Sequence, residues 1–240
     1  MLTEGYFKPV GEFNFDVNRA ERAQQVRLLA PLLADPEGRL WILERLGCPC
    51  TVDEARAAEP FHFVFPLRDL FTFDYNQCRS DPKLESGLIV YYNDLFGLSA
   101  EFGADFGADT IWRTHPDGPI RHPAAPGRKG WHLDFLTHYL PPHQVERLMR
   151  IRQLLDTEAD AMLLLPRHVA TIECKYQSSL RREQYERQMG LGELLGKRLG
   201  KEFFFGLVVE SLRDFRRVRV QAPYVTWAEI EGRLGLQHKG

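Results

Sequence analysis

Residues 161–165 and 169–176 are two short β-prone runs separated by the turn-like triplet Pro166-Arg167-His168, and no other stretch limits the fold as much. Runs of that length bounded by turn formers read as two strands of a hairpin. Successive side chains of a strand point to opposite faces. Glu173 and Lys175 therefore project together, while Ile172 and Cys174 turn the other way, toward a core. A tight hairpin brings Asp160, at the head of the first run, beside Glu173, so that two carboxylates and an ammonium meet at one place. Mg2+ is held through oxygen ligands and usually takes only one or two carboxylates from protein. A neighbouring Lys can orient or help deprotonate an attacking water. This is the equipment for metal-assisted phosphodiester hydrolysis.

The flanks predict an α-β-β-α-β order. Pro141-Pro142 can open a helix, because Pro is tolerated in a first turn. Val145, Leu148, Met149, Arg152 and Leu155 then recur at helical spacing. After the hairpin, Ser178 or Ser179 can cap a helix over residues 180–199, with Glu183 in its first turn. Gly190, Gly192 and Gly196 on one side of it predict close packing against a sheet or a partner. Residues 203–209, apolar except for Gly206, read as a buried strand.

With those surroundings, Asp160, Glu173 and Lys175 resemble the signature of the PD-(D/E)xK, or restriction-endonuclease-like, nuclease superfamily, over roughly residues 141–210. The residue before Asp160 is Ala159 rather than Pro, which departs from the full motif. Asp81-Pro82-Lys83 also fits acid-x-Lys, but Pro82 cannot donate to a sheet ladder, so that copy reads as a loop. The resemblance implies an α/β fold with a restriction-endonuclease-like core, α-β-β-α-β around a mixed central sheet, preceded by an N-terminal α+β region. It implies Mg2+ or Mn2+ held by Asp160, Glu173 and the carbonyl of Cys174, with Lys175 positioning water. The implied function is a Mg2+-dependent deoxyribonuclease, most readily an endonuclease, leaving a 5′-phosphate. Some members add an acid on the helix before the first strand, for which Glu146 is the candidate; an ordinary i, i+4 surface pair with Arg150 is the plainer account of Glu146. A Gln on the helix after the hairpin lies near the catalytic residues in several branches, which singles out Gln184 and Gln188. Many relatives act as dimers, and nothing in the sequence decides whether this chain forms a homodimer. The alternative is a non-catalytic nucleic-acid-binding or assembly protein that keeps the nuclease-like fold.

Charge is divided unevenly along the chain. Residues 1–110 carry 10 Lys and Arg against 18 Asp and Glu, which leaves +6 for the remainder of a chain whose total is −2. The basic half is the one with the nuclease-like motif, which suits a DNA partner, and the acidic half could take a partner protein. At 44% hydrophobic and 27% charged, the composition is that of an ordinary globular chain. No apolar run approaches the roughly 18–20 residues that span a bilayer. No basic-then-apolar leader opens residues 1–15. With 4 Cys, this points to a reducing, cytoplasmic setting. Cys48-Pro49-Cys50 lacks the spacing of a structural zinc site.

Domain organisation reads as an N-terminal region over residues 1–113, a Pro/Gly-rich loop or linker over 114–130, and the nuclease-like domain over 131–240. Within the first, Asp16 or Asn18 can cap a helix to about Leu33, residues 36–46 form a second stopped by Gly47, and Thr51-Val52-Asp53-Glu54 is a capping box. Residues 61–65 and 88–92 look like strands. Thr226-Trp227-Ala228-Glu229 is another capping box, opening a last helix.

Overall fold

The structure is a computed structural model, described for residues 19–78, 80–104, 106, 140–176, 180–210 and 222–236. It is mixed α/β, with a five-stranded mixed sheet in the order β1-β2-β3-β4-β5. The chain forms two compact units, one of Met1–Val64 with Glu158–Gly240, the other of Phe65–Thr157. The boundaries at 113 and 130 expected from the sequence lie outside the described residues, and the units divide elsewhere, just after the first strand and just before the second.

In the first unit, α1 (Arg19–Gln24) continues through a π-helical turn (Gln25–Leu29) into α2 (Ala30–Ala34). The caps expected at Asp16 or Asn18 lie outside the described residues. Asp35 then breaks the helix: its backbone is extended, and its carboxylate accepts the amides of Glu37 and Gly38 to start α3 (Pro36–Leu46). Gly47 ends α3 with φ of 72°, the left-handed cap that glycine adopts without strain. Thr51 and Glu54 form the expected capping box of α4 (Val52–Arg56).

Gly38 lies where the two helices meet. A Cβ there would stand 2.0 Å from the carbonyl oxygen of Leu32. Backbone cannot rotate away as a side chain can. Gly38→Ala is therefore expected to destabilise the protein by about 1–3 kcal/mol despite Ala's better helix propensity, measured as a lower urea midpoint at unchanged m-value.

The sheet follows. β1 (Glu59–Val64), β2 (Ala159–Leu164) and β3 (His168–Cys174) are antiparallel neighbours, and β4 (Glu202–Val209) and β5 (Tyr224–Thr226) add in parallel. The hairpin turns at Pro166-Arg167, where the Leu165 amide donates to the His168 carbonyl at 2.9 Å. A helix, labelled α9 below, carries the chain from β3 to parallel β4; it runs Arg182–Leu199. At its N-terminus Arg181, not Ser178 or Ser179, is the cap, and the two serines lie outside the described residues. Thr226 ends β5 and caps the last helix, α10 (Trp227–Arg233), with Glu229 completing its capping box.

Strand β3 is buried on both faces. One face packs Ala170, Ile172 and Cys174 with Ala161 and Leu163 of β2 against Leu28, Leu29, Leu32, Ile42 and Leu43 of the N-terminal helices and Ile230 of α10. The other face gathers Phe205, Leu207 and Val209 under Tyr185 and Met189 of α9. The glycines of α9 allow this approach: a Cβ on Gly192 would meet the Phe203 ring at 2.0 Å.

The described residues of the second unit form helices. α5 (Pro66–Cys78), α6 (Pro82–Leu95), α7 (Ser99–Phe102) and α8 (Pro142–Leu155) are its described elements. Phe71 and Tyr92 meet edge to face at 4.7 Å, and buried Asn93 donates to the carbonyls of Ala104 and Phe106. Residues 88–92, expected as a strand, belong to α6, and Asp81-Pro82, expected as a loop, is its N-cap and first position. Among the described residues no helix is long and apolar enough to cross a membrane.

Candidate active site

β2 and β3 pair with Ala161 opposite Ile172 and Met162 opposite Thr171. The same register carried one residue further sets Asp160 opposite Glu173, and directly opposed residues of an antiparallel pair share a face. Asp160 is held by a backbone donor: the Cys174 amide reaches its Oδ2 at 2.7 Å. Glu173 is held from two sides, with Oε1 2.7 Å from Lys175 Nζ and Oε2 accepting Gln188 Nε2 at 2.8 Å. Gln188 also donates to the Glu158 carbonyl at 3.1 Å, so one α9 side chain bridges the mouths of both strands. Lys175 lies just beyond the last ladder residue of β3. Its amide donates to Val208 O at 2.7 Å and its carbonyl accepts Trp227 Nε1 at 3.0 Å, which fixes the backbone from which the ammonium extends.

A third carboxylate enters from α1. Glu21, only 6% exposed, accepts the Tyr176 amide at 3.0 Å through Oε2, and its Oε1 is 3.9 Å from Lys175 Nζ. Buried positions 21, 25, 28, 29, 32 and 33 repeat at helical spacing. Glu21 and Gln25 thus occupy places where the apolar stripe of Leu28, Leu29, Leu32 and Leu33 would continue. That polar interruption of a core stripe is the sequence signal by which Glu21 could have been found. Glu21→Ala leaves the Tyr176 amide without its acceptor and should lower stability by about 1–3 kcal/mol, whereas Glu21→Gln, whose carbonyl oxygen can still accept, should cost less. Urea unfolding of both variants reads the difference.

The electrostatics follow from three acids around one amine. Burial pushes the Asp160 carboxyl well above its ordinary range, and the neighbouring Glu173 charge adds to this, against the opposing pull of Lys175. Burial likewise raises Glu173, although Lys175 and Gln188 favour its ionised form. Burial alone would lower the Lys175 ammonium; the charges of Glu173, Glu21 and Asp160 outweigh it and hold the ammonium above its usual range. Burial is thus the main cause for Asp160 and Glu173, and the surrounding negative charge is the cause for the Lys175 ammonium. The Cys174 thiol, buried on the opposite face, is also pushed up by burial.

No family model, no curated protein and no solved structure matches this chain. The site therefore stands on its own geometry. Asp160, Glu173 and Lys175 come together as the hairpin register requires. Cys174 contributes its amide to Asp160, while its side chain joins the core. Gln184 does not reach the acids: its Oε1 accepts the Arg181 amide at 3.1 Å and caps α9, and Gln188, one turn on, takes the place beside Glu173. Glu146 is exposed on α8 of the second unit, and the helix-borne acid beside Lys175 is Glu21. Among the described residues no three His, Cys, Asp or Glu side chains are grouped as ligands of one metal ion. The oxygens that could hold one are those of Asp160 and Glu173. The donor set, two carboxylates on one face of adjacent strands, fits a hard divalent cation in kind.

Proposed function

We propose that this protein is a metal-dependent nuclease of the PD-(D/E)xK kind, hydrolysing phosphodiester bonds of DNA at the carboxyl end of β3. One observation carries the reading: Asp160 and Glu173 fall on adjacent antiparallel strands with Lys175 Nζ 2.7 Å from Glu173, at the mouth of the central strands. The element order supports it, since a helix, the β2–β3 hairpin, α9 and β4 follow one another as α-β-β-α-β. Among the described residues no arginine pairs with Asp160 or Glu173, as a purely structural cluster of acids would favour.

Asp160 and Glu173 would hold Mg2+ or Mn2+ with the Cys174 carbonyl. Bound there, the ion would polarise a phosphoryl oxygen and lower the pKa of a water. The side chains of this chain do the positioning. Lys175 presents an ammonium where charge develops on the phosphate. Gln188 fixes the rotamer of Glu173, and Glu21 pins the turn that follows Lys175.

Supercoiled plasmid and linear DNA incubated with the protein in Mg2+, Mn2+ or EDTA, alongside Lys175→Ala, test the proposal. Cleavage that needs the metal and disappears in the variant supports it. Tight DNA binding without cleavage in any metal would favour a non-cutting module that keeps the fold.

A further inference from the structure

Arg22 follows Glu21 on α1, and its guanidinium is fixed from two sides. Nη2 donates to the two carboxylate oxygens of Glu158 at 3.2 and 3.3 Å, and Cζ stands 5.0 Å from the centroid of the Phe63 ring. Both supports belong to the rim of the acid–lysine cluster. Glu158 lies two residues before Asp160, and its carbonyl accepts the Gln188 amide that also holds Glu173. In the β1–β2 register His62 faces Ala161 and Val64 faces Ala159, which leaves Phe63 opposite Asp160. Phe63 has φ of 51°, the one positive value at a non-glycine position among the described residues. For a bulky residue that conformation is strained and persists only where the surroundings impose it. Here it accompanies a ring set against the guanidinium.

An arginine carries five N–H donors in a planar fork, whose geometry matches carboxylate and phosphate oxygens. Glu158 engages Nη2 alone. Nε and Nη1 make no hydrogen bond among the described residues, and the side chain is 26% exposed. A preoriented guanidinium with donors to spare, at the edge of a carboxylate cluster, suits an anion that must approach acids without being repelled.

We propose that Arg22 is a phosphate-binding residue of the site, its remaining donors receiving a backbone phosphate of the nucleic-acid strand beside the one that is cut. This rests on the nuclease reading and adds a substrate contact to it. Glu158 and Phe63 hold the guanidinium in place, and the Glu158 carboxylate balances its charge.

Binding of a fluorescently labelled DNA duplex, followed by anisotropy across a salt series, tests it. Ca2+ replaces Mg2+, and the DNA is checked for integrity. Loss of one phosphate contact lowers the slope of log K against log salt by about 0.9 and weakens binding about tenfold near 0.1 M salt. Arg22→Gln is expected to show both changes. Glu158→Gln breaks the same ion pair but leaves the guanidinium, and should keep the slope of the unaltered protein. The double variant Arg22→Gln, Glu158→Gln leaves neither partner unpaired and should lose the slope as Arg22→Gln does, which covers a failure of the single variant to fold. An unchanged slope in the Arg22 variants, or the same loss in Glu158→Gln, would overturn the assignment and leave the nuclease reading standing. An unaltered protein that binds no DNA would overturn both.

Discussion

Lys175→Ala is expected to abolish metal-dependent cleavage and to lower the unfolding free energy by about 3–5 kcal/mol, the usual cost of removing one partner from a buried ion pair. Lys175 is 7% exposed and is the cation seen against Glu173 at 2.7 Å and Glu21 at 3.9 Å. Its removal leaves these carboxylates, and Asp160, in a poorly solvated place with no positive charge among them. Asp160 and Glu173, already raised by burial, would respond by taking up protons, so the loss should shrink as the pH is lowered. Cleavage should fall by at least about 10²–10³-fold, the range for losing one preorganised group at a developing charge. Urea unfolding at pH 5 and pH 8 separates the two losses, with cleavage assayed below the denaturant midpoint. A variant of unchanged stability would show that the ammonium does not balance the acids.

Asp160→Asn is expected to act in the opposite sense on stability while also removing activity. Asp160 has a folded-state pKa above its unfolded value, because burial and the Glu173 charge disfavour the ionised form. The fold therefore binds this proton more tightly than the unfolded chain does. The resulting stability is fully present below the unfolded pKa of about 3.9 and is lost as pH rises through the raised folded value. At neutral pH the burial that raises Asp160 therefore works against the fold. An amide in its place can still accept the Cys174 N–H through its carbonyl oxygen and carries no charge. Asp160→Asn should accordingly be more stable than the parent at pH 7, and the gain should vanish toward pH 4. Stabilisation that accompanies loss of function marks a site kept at the expense of the fold. An Asn variant less stable than the parent at pH 7 would mean that attraction to Lys175 outweighs burial.

The strands that carry the acids were legible because their signals agree. Two short apolar, β-prone runs and the Pro-containing turn between them all point to one hairpin, and its register follows from the turn. Residues 88–92 misled because Leu88-Ile89-Val90-Tyr91-Tyr92 is rich in β formers. The capping side chain of Asp81 and Pro82 at the first position start a helix instead, and Ile89, Tyr92 and Asn93 become its buried face. Propensity yielded there to capping and helical packing. The choice between Gln184 and Gln188 turned on where α9 begins. With Arg181 as the cap, Gln184 is spent on the helix end and Gln188 faces Glu173. Glu21 was hidden by distance, since 152 residues separate it from Glu173 in the sequence, and only the polar break in an apolar helix stripe marks it. Division into units was equally hidden, because residues 65–157 leave and rejoin the sheet between two antiparallel neighbours.

Whether the cluster takes up a divalent cation is measured most directly by titrating the protein with Mn2+ and following the free ion by electron paramagnetic resonance, for the parent chain and for Asp160→Asn. One Mn2+ bound by the parent, displaced by excess Mg2+ and absent from the variant, is the expected result. Equal binding by the two proteins, or none by either, would contradict a metal centre at Asp160 and Glu173 and leave a buried network of acids balanced by Lys175 alone.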